Sequence, residues 1–252
     1  FNDFSLKNNN LNKTNEQSFD HSFIKDLENK LFESNKSSTN LLQQNQKLNN
    51  KIDLLTKENE SYKTQLTNNT QWLSDESIKL YYDFITSTVN LQDKISLISP
   101  IIVQFLKLSD EQSVKSNLSG LHIENKNFIF FPLNNSMSVN DNSGSHWTLL
   151  VLDLCGKRWL HFDSMNPTNH GDALRVSSKI NRHLNVTLPL NEIQCSQQKN
   201  GHDCGIYTLI HTCLLIEVIN KNGSILLDEK VVCNISEEMV IKKKLEIVKI
   251  MS

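Results

Sequence analysis

A chain of 252 residues with 26 basic and 28 acidic side chains carries a formal net charge of −2, which gives no reason to expect nucleic acid or an anionic membrane as partner. It has no run of eighteen apolar residues, and a transmembrane helix is excluded on that ground. Its five cysteines, at 155, 195, 204, 213 and 233, are odd in number and include no C-x-x-C pair. A disulfide framework and a zinc site are therefore disfavoured, no metal or other cofactor is expected, and a reducing compartment, cytoplasm or nucleus, suits the thiols.

The chain opens Phe1-Asn2-Asp3-Phe4 without Met and without the basic-then-apolar pattern of a signal peptide, so its first residue need not be the true N-terminus. Fifteen of the first seventy residues are Asn, and neither Gly nor Pro occurs before Pro100. Residues 1–20 read as a disordered Asn-rich tail, with too little apolar surface to offset the entropy of ordering. Residues 21–70 read as a coiled coil. One set of core positions is Ile24, Leu31, Ser38, Asn45, Ile52, Asn59 and Leu66, and the other is Leu27, Ser34, Leu41, Leu48, Leu55 and Tyr62. Nine of these thirteen are apolar, and Asn45 and Asn59 fall where buried asparagines specify a parallel dimer. Self-association through residues 24–66 follows from that reading. The alternative is a solvated, partly helical low-complexity arm.

Residues 71–252 carry α+β patterning. Helices are expected around 74–90 and 100–108, then strands near 127–132, 147–153 and 158–163. Leu174, Val176, Ile180 and Leu184 give residues 172–184 helical spacing, and 187–195 is a candidate strand. A helix opening at Cys204 is pinned by Ile206, Leu209, Ile210, Leu214 and Ile216, and a last helix starts near 237. Cys155-Gly156-Lys157 suits a tight turn between two strands. Cys195 and Cys213 read as core.

The stretch from Gln198 to Tyr207 concentrates the chemistry. Asp203 is a natural N-cap, and Cys204 at the first helical position meets unpaired N–H groups and the positive end of the helix dipole, which favour thiolate. His146 opens one strand of the hairpin and Asp163 closes the other. Antiparallel pairing makes them neighbours, so the carboxylate can fix the imidazole while the second ring nitrogen faces a thiol. The Gln198 amide and the Cys204 N–H can then serve a developing oxyanion. Each residue alone has a duller structural explanation; together, in the order His, Asp, Gln, Cys, they point to a thiol nucleophile with its base and orienting acid.

His146-Trp147, Phe162-Asp163-Ser164 and Gln198-x-x-x-x-Asp203-Cys204-Gly205 resemble the ubiquitin-like-protein proteases, the family that includes the sentrin/SUMO-specific proteases. Trp72-Leu73-Ser74-Asp75-Glu76 is similar to the opening of that family's catalytic domain. The resemblance spans roughly residues 72–250 and implies a papain-like cysteine protease fold with a helical lobe against an antiparallel sheet. It implies His146, Asp163 and Cys204 as triad and Gln198 as oxyanion helper. Trp72 and Trp147 would wall the tunnel for a substrate's Gly-Gly tail, and Asp75 would contact a basic residue before the glycines or serve only in the first turn of its helix. The polar loop 134–145, with Ile98-Ser99-Pro100, Gln104-Phe105 and Lys242-Lys243-Lys244, resembles the deneddylase branch. The implied partners are the neddylation tag and its conjugates such as cullins. A SUMO protease with the same triad, and a catalytically silent tag-binding scaffold, are the alternatives.

Overall fold

The computed structural model describes residues 21–67, 72–91, 93–138, 144–225 and 234–251. The expected disordered tail, the centre of the polar loop at 139–143 and Cys233 lie outside the described residues. The chain divides into two units, Phe1–Glu60 and Ser61–Ser252. Among the described residues no helix is long and apolar enough to cross a membrane.

Helix α1 (His21–Thr67) runs unbroken for 47 residues, as the lack of Gly and Pro allows. Thr39 and Thr56 lie along it with their hydroxyls donated to the carbonyls of Asn35 and Ile52. The heptad leucines and isoleucine face outward: Leu41, Leu48, Ile52 and Leu55 are between 51% and 59% exposed.

The second unit starts with α2 (Asp75–Thr88), where Ser74 Oγ accepts the Ser77 N–H at 3.2 Å and so satisfies one of the free N–H groups of the first turn. Ile78, Tyr81, Tyr82 and Ile85 recur at helical spacing and are buried. Strand β1 (Ile95–Leu97), α3 (Pro100–Leu108) and α4 (Glu111–Leu121) follow. Pro100 begins α3, where its missing N–H costs nothing, and Asp110 caps α4 by accepting the Ser113 N–H at 2.8 Å. Next come β2 (Phe128–Asn134), β3 (Trp147–Asp153), β4 (Arg158–Phe162), α5 (His170–Leu184) and β5 (Leu190–Ile193). Helices α6 (Cys204–Asn222) and α7 (Glu237–Met251) complete the order.

The five strands form one sheet in the order β1-β2-β3-β4-β5. Its centre is antiparallel, but β1 pairs parallel with β2 and β4 parallel with β5, so the sheet is mixed where an antiparallel one was expected. The cause is the connections: α3 and α4 lie between β1 and β2, and α5 between β4 and β5, and such crossovers return the chain in the same direction. Helices cover both faces. Phe128, Phe130, Leu149, Val151, Leu160 and Phe162 pack in a core with residues of α2, α6 and α7. Ile129, Phe131, Leu133, Leu150, Leu152 and Trp159 pack in a second core with residues of α3, α4 and α5. Double-sided burial explains why these strands read as continuous apolar runs.

The β3–β4 turn is fixed by chemistry. Asp153 Oδ1 accepts the Gly156 N–H at 2.7 Å, and Arg158 Nε donates to Asp153 Oδ2 at 3.1 Å. A Cβ on Gly156 would lie 2.3 Å from that carboxylate, so only glycine fits. This turn sets the register that places Leu149 opposite Phe162, and with it the residues just beyond the open end of the hairpin.

Candidate active site

Beyond that end, His146 precedes β3 and Asp163 follows β4. His146 Nε2 lies 2.6 Å from Asp163 Oδ1, and both residues are 2% exposed. Asp163 also accepts the backbone N–H groups of Met165 on Oδ1, at 2.8 Å, and of Asn169 on Oδ2, at 3.2 Å. Burial opposes its ionisation, but the His146 ring and these two donors outweigh it and hold its pKa below the usual carboxylate range. The His146 ring is balanced the opposite way. Burial, the largest influence, disfavours its charged form, yet the combined pull of Asp163 and the Cys204 sulfur raises its pKa from 6.5 to about 9. Its other nitrogen, Nδ1, is buried and, with Nε2 held by Asp163, is the one left to exchange a proton with the Cys204 sulfur.

Cys204 opens α6 and is 1% exposed. The hairpin end and the helix start thus bring His146, Asp163 and Cys204 together, as the order of residues implied. Asp203 occupies the N-cap position, but its side chain makes no capping bond. Its carboxylate turns away, to Lys244 Nζ at 2.6 Å and Asn200 Nδ2 at 2.9 Å, because a cation and an amide donor solvate a buried charge better than one N–H does.

Gln198 stands next to this group in a particular pose. Its Oε1 accepts the Ser164 hydroxyl at 2.8 Å, its backbone N–H donates to the Ser164 carbonyl at 2.8 Å, and its Nε2 donates to the Asn200 carbonyl. One amide hydrogen is therefore engaged within the loop, leaving the other for a substrate oxygen.

The segment before α2 closes over the start of α6. The Trp147 indole N–H donates to the Leu73 carbonyl at 2.9 Å, and a Cβ on Gly205 would lie 2.9 Å from Leu73 Cβ. Glycine after Cys204 thus lets Leu73 approach, and this holds Trp72, 47% exposed, at the same end of the molecule. Trp147, expected as a tunnel wall, is only 3% exposed and packs in the core. Asp75 is the first residue of α2, with Ser74 as cap; partial burial raises its pKa.

Three contributors escaped sequence reasoning. Asn169, fully buried, donates its Nδ2 to the carbonyls of Leu133 and His146 at 3.3 Å each. Ser164 anchors Gln198, and Gln197 Nε2 donates to the Asp163 carbonyl at 3.0 Å. Ser164 and Gln197 were signalled only by adjacency to Asp163 and Gln198, and Asn169, six residues beyond Asp163, carried no such signal. Among the described residues no three His, Cys, Asp or Glu side chains are grouped as metal ligands, and the described cysteines form no disulfide.

Residues 71–250 match the model of the Ulp1 protease family, C-terminal catalytic domain. The chain is 30% identical over 152 residues to human sentrin-specific protease 8, covering 56% of this chain and 69% of that protein. It is 29% identical over 170 residues to NEDD8-specific protease 1 of Arabidopsis thaliana, covering 66% and 75%. In fold it is similar to the C-terminal Ulp1 protease domain solved in complex with Smt3, the yeast ortholog of SUMO, with a TM-score of 0.53, 20% identity and coverage of 73% and 78%.

Proposed function

The chain belongs to the Ulp1 protease family and is a cysteine peptidase acting in ubiquitin-like-protein processing, and from that premise we propose that it cleaves after the C-terminal Gly-Gly of the neddylation tag. Its uses are trimming of the tag's precursor and release of the tag from cullins and other proteins. The observation that carries the reading is the buried His146–Asp163 pair, at 2.6 Å, beside Cys204 at a helix start. Relatives named NEDD8-specific protease, from Arabidopsis thaliana and Schizosaccharomyces pombe, support the choice of tag.

In the reaction, the Cys204 sulfur attacks the carbonyl carbon of the tag's last glycine. Charge builds on the carbonyl oxygen, which takes hydrogen bonds from the Cys204 backbone N–H and the remaining Gln198 amide hydrogen. The carbon–nitrogen bond breaks as His146 gives its proton to the leaving amine, and a thioester remains. His146 then takes a proton from water as the hydroxide adds, and the thioester collapses to free thiol and the tag's carboxylate. Asp163 stays ionised throughout and keeps the ring aligned. Trp72 lines the path of the glycines, which pass because they have no side chains, Trp147 backs that wall from the core through its bond to Leu73, and Asp75 pairs with a basic residue ahead of them. Helix α1 serves as a dimerisation arm outside this chemistry, its exposed heptad face being self-complementary.

The test is hydrolysis of tag–amide reporters built on NEDD8, SUMO and ubiquitin. We expect turnover with NEDD8 at a kcat/KM at least tenfold above the others. A SUMO preference would move the chain to the alternative with the same triad, and no turnover with any reporter would favour the silent scaffold.

A further inference from the structure

The loop from Gln198 to Asp203 makes contacts that the reaction does not itself require. Asn200 Oδ1 accepts the backbone N–H groups of His202 and Asp203 at 3.1 and 2.9 Å, while its Nδ2 donates to Asp203 Oδ2 at 2.9 Å. Its carbonyl holds the Gln198 amide, which in turn is held by Ser164. At the other end, Asp203 Oδ1 is paired with Lys244 Nζ at 2.6 Å, with side chains only 7% and 14% exposed. Lys244 comes from α7, some forty residues downstream of the nucleophile. A hydrogen-bonded chain thus runs Ser164–Gln198–Asn200–Asp203–Lys244, linking the residue after Asp163 to the residue before Cys204.

We propose that Asn200 and Lys244 are positioning residues, which set the Gln198 amide and the first turn of α6 at the spacing an oxyanion requires. This rests on the thiol-protease reading above. Neither residue touches the reacting atoms; both act through Asp203 and Gln198. Loss of Lys244 has a second consequence, because it leaves the Asp203 carboxylate buried and short of its cation, on the residue that precedes Cys204. An exposed surface ion pair would have little effect of this kind; this one is enclosed and adjoins the nucleophile.

The experiment compares the full chain with Lys244→Met, Lys244→Arg and Asn200→Ala. Three readouts are kcat, KM for the best tag–amide reporter, and the rate of Cys204 alkylation by iodoacetamide. Because misplacement of about 1 Å can cost roughly 10²-fold, Lys244→Met and Asn200→Ala should lose about ten- to a hundredfold in kcat. KM should stay within about twofold, since such a change touches only the reacting centre. Lys244→Arg should recover most of the loss, and alkylation of the Met variant should slow. Asn200 is on an exposed loop, so its variant reports even if loss of Lys244 prevents folding. Parent-like kcat in Asn200→Ala and Lys244→Met, a change in KM alone, or Arg no better than Met would overturn the proposal. Should the parent chain hydrolyse no reporter, the functional reading fails, while the alkylation ratio still decides positioning: a slowed Met variant upholds it and an unchanged one refutes it.

Discussion

Replacing Asp163 with Asn removes charge while leaving shape nearly intact. In the parent chain the ring of His146 titrates at about 9 because Asp163 and Cys204 together overcome the opposing effect of burial. Without the carboxylate charge, burial drives the ring back toward or below its ordinary 6.5. At an assay pH of about 7.5, the protonated fraction then falls from nearly all to roughly a tenth. That alone reduces proton delivery to the leaving amine by about tenfold. The amide can also present its NH₂ to Nε2, which favours the wrong tautomer, and the same exchange in a serine triad costs about 10⁴ in kcat. The sum predicts a loss of about 10²–10⁴ in kcat with KM near the parent value. Steady-state hydrolysis of a tag–amide reporter gives kcat, and NMR of the His146 ring gives its titration midpoint. A loss below tenfold, or a midpoint still near that of the parent, would refute the assignment of Asp163 as the group that charges and orients the ring.

Other perturbations follow from the same geometry. Because His146 has its pKa raised in the fold, the protonated ring contributes stability below about 6.5 that is lost as pH rises through about 9. The pH profile of kcat/KM should hold through neutrality and fall near 9, and an activity that keeps climbing beyond 10 would contradict the acid role. Gly205→Ala places a Cβ 2.9 Å from Leu73 Cβ and should lower unfolding free energy by about 1–3 kcal/mol in a denaturant melt; KM should rise as Trp72 shifts. An unchanged midpoint would show that Leu73 yields freely. Leu41→Asp with Leu48→Asp puts charge into the heptad face of α1 and should convert a dimer to a monomer by light scattering, with kcat unchanged. A monomeric parent chain would remove the dimer from the account.

Much of this was legible in the sequence where one physical signal dominated. The hairpin of β3 and β4 showed as two apolar runs about a glycine turn, and α6 showed as an apolar face behind Asp203 and Cys204. Antiparallel pairing then sufficed to place His146 beside Asp163. Strand β1 was missed because three residues, Ile95–Leu97, carry too little pattern; its parallel pairing with β2 is supplied by tertiary contact. Helix α4 was missed although Asp110 caps it and Val114 and Leu118 are buried, because Ser113, Ser116, Asn117, Ser119 and Gly120 dilute the apolar period. The turning of Asp203 toward Lys244 was not legible, since local propensity favours capping and the competing cation arrives from a distant helix. The bond from the Trp147 indole to the Leu73 carbonyl was not legible either, because it joins segments seventy-four residues apart.

The most direct test of the central claim is covalent labelling of the full chain with NEDD8, SUMO and ubiquitin probes carrying C-terminal electrophiles, read by mass spectrometry of the modified peptide. The account predicts rapid modification at Cys204 by the NEDD8 probe, much slower modification by the other two, and none in Cys204→Ala. Modification at another cysteine, or none by any probe, would contradict Cys204 as the nucleophile of a tag-specific protease.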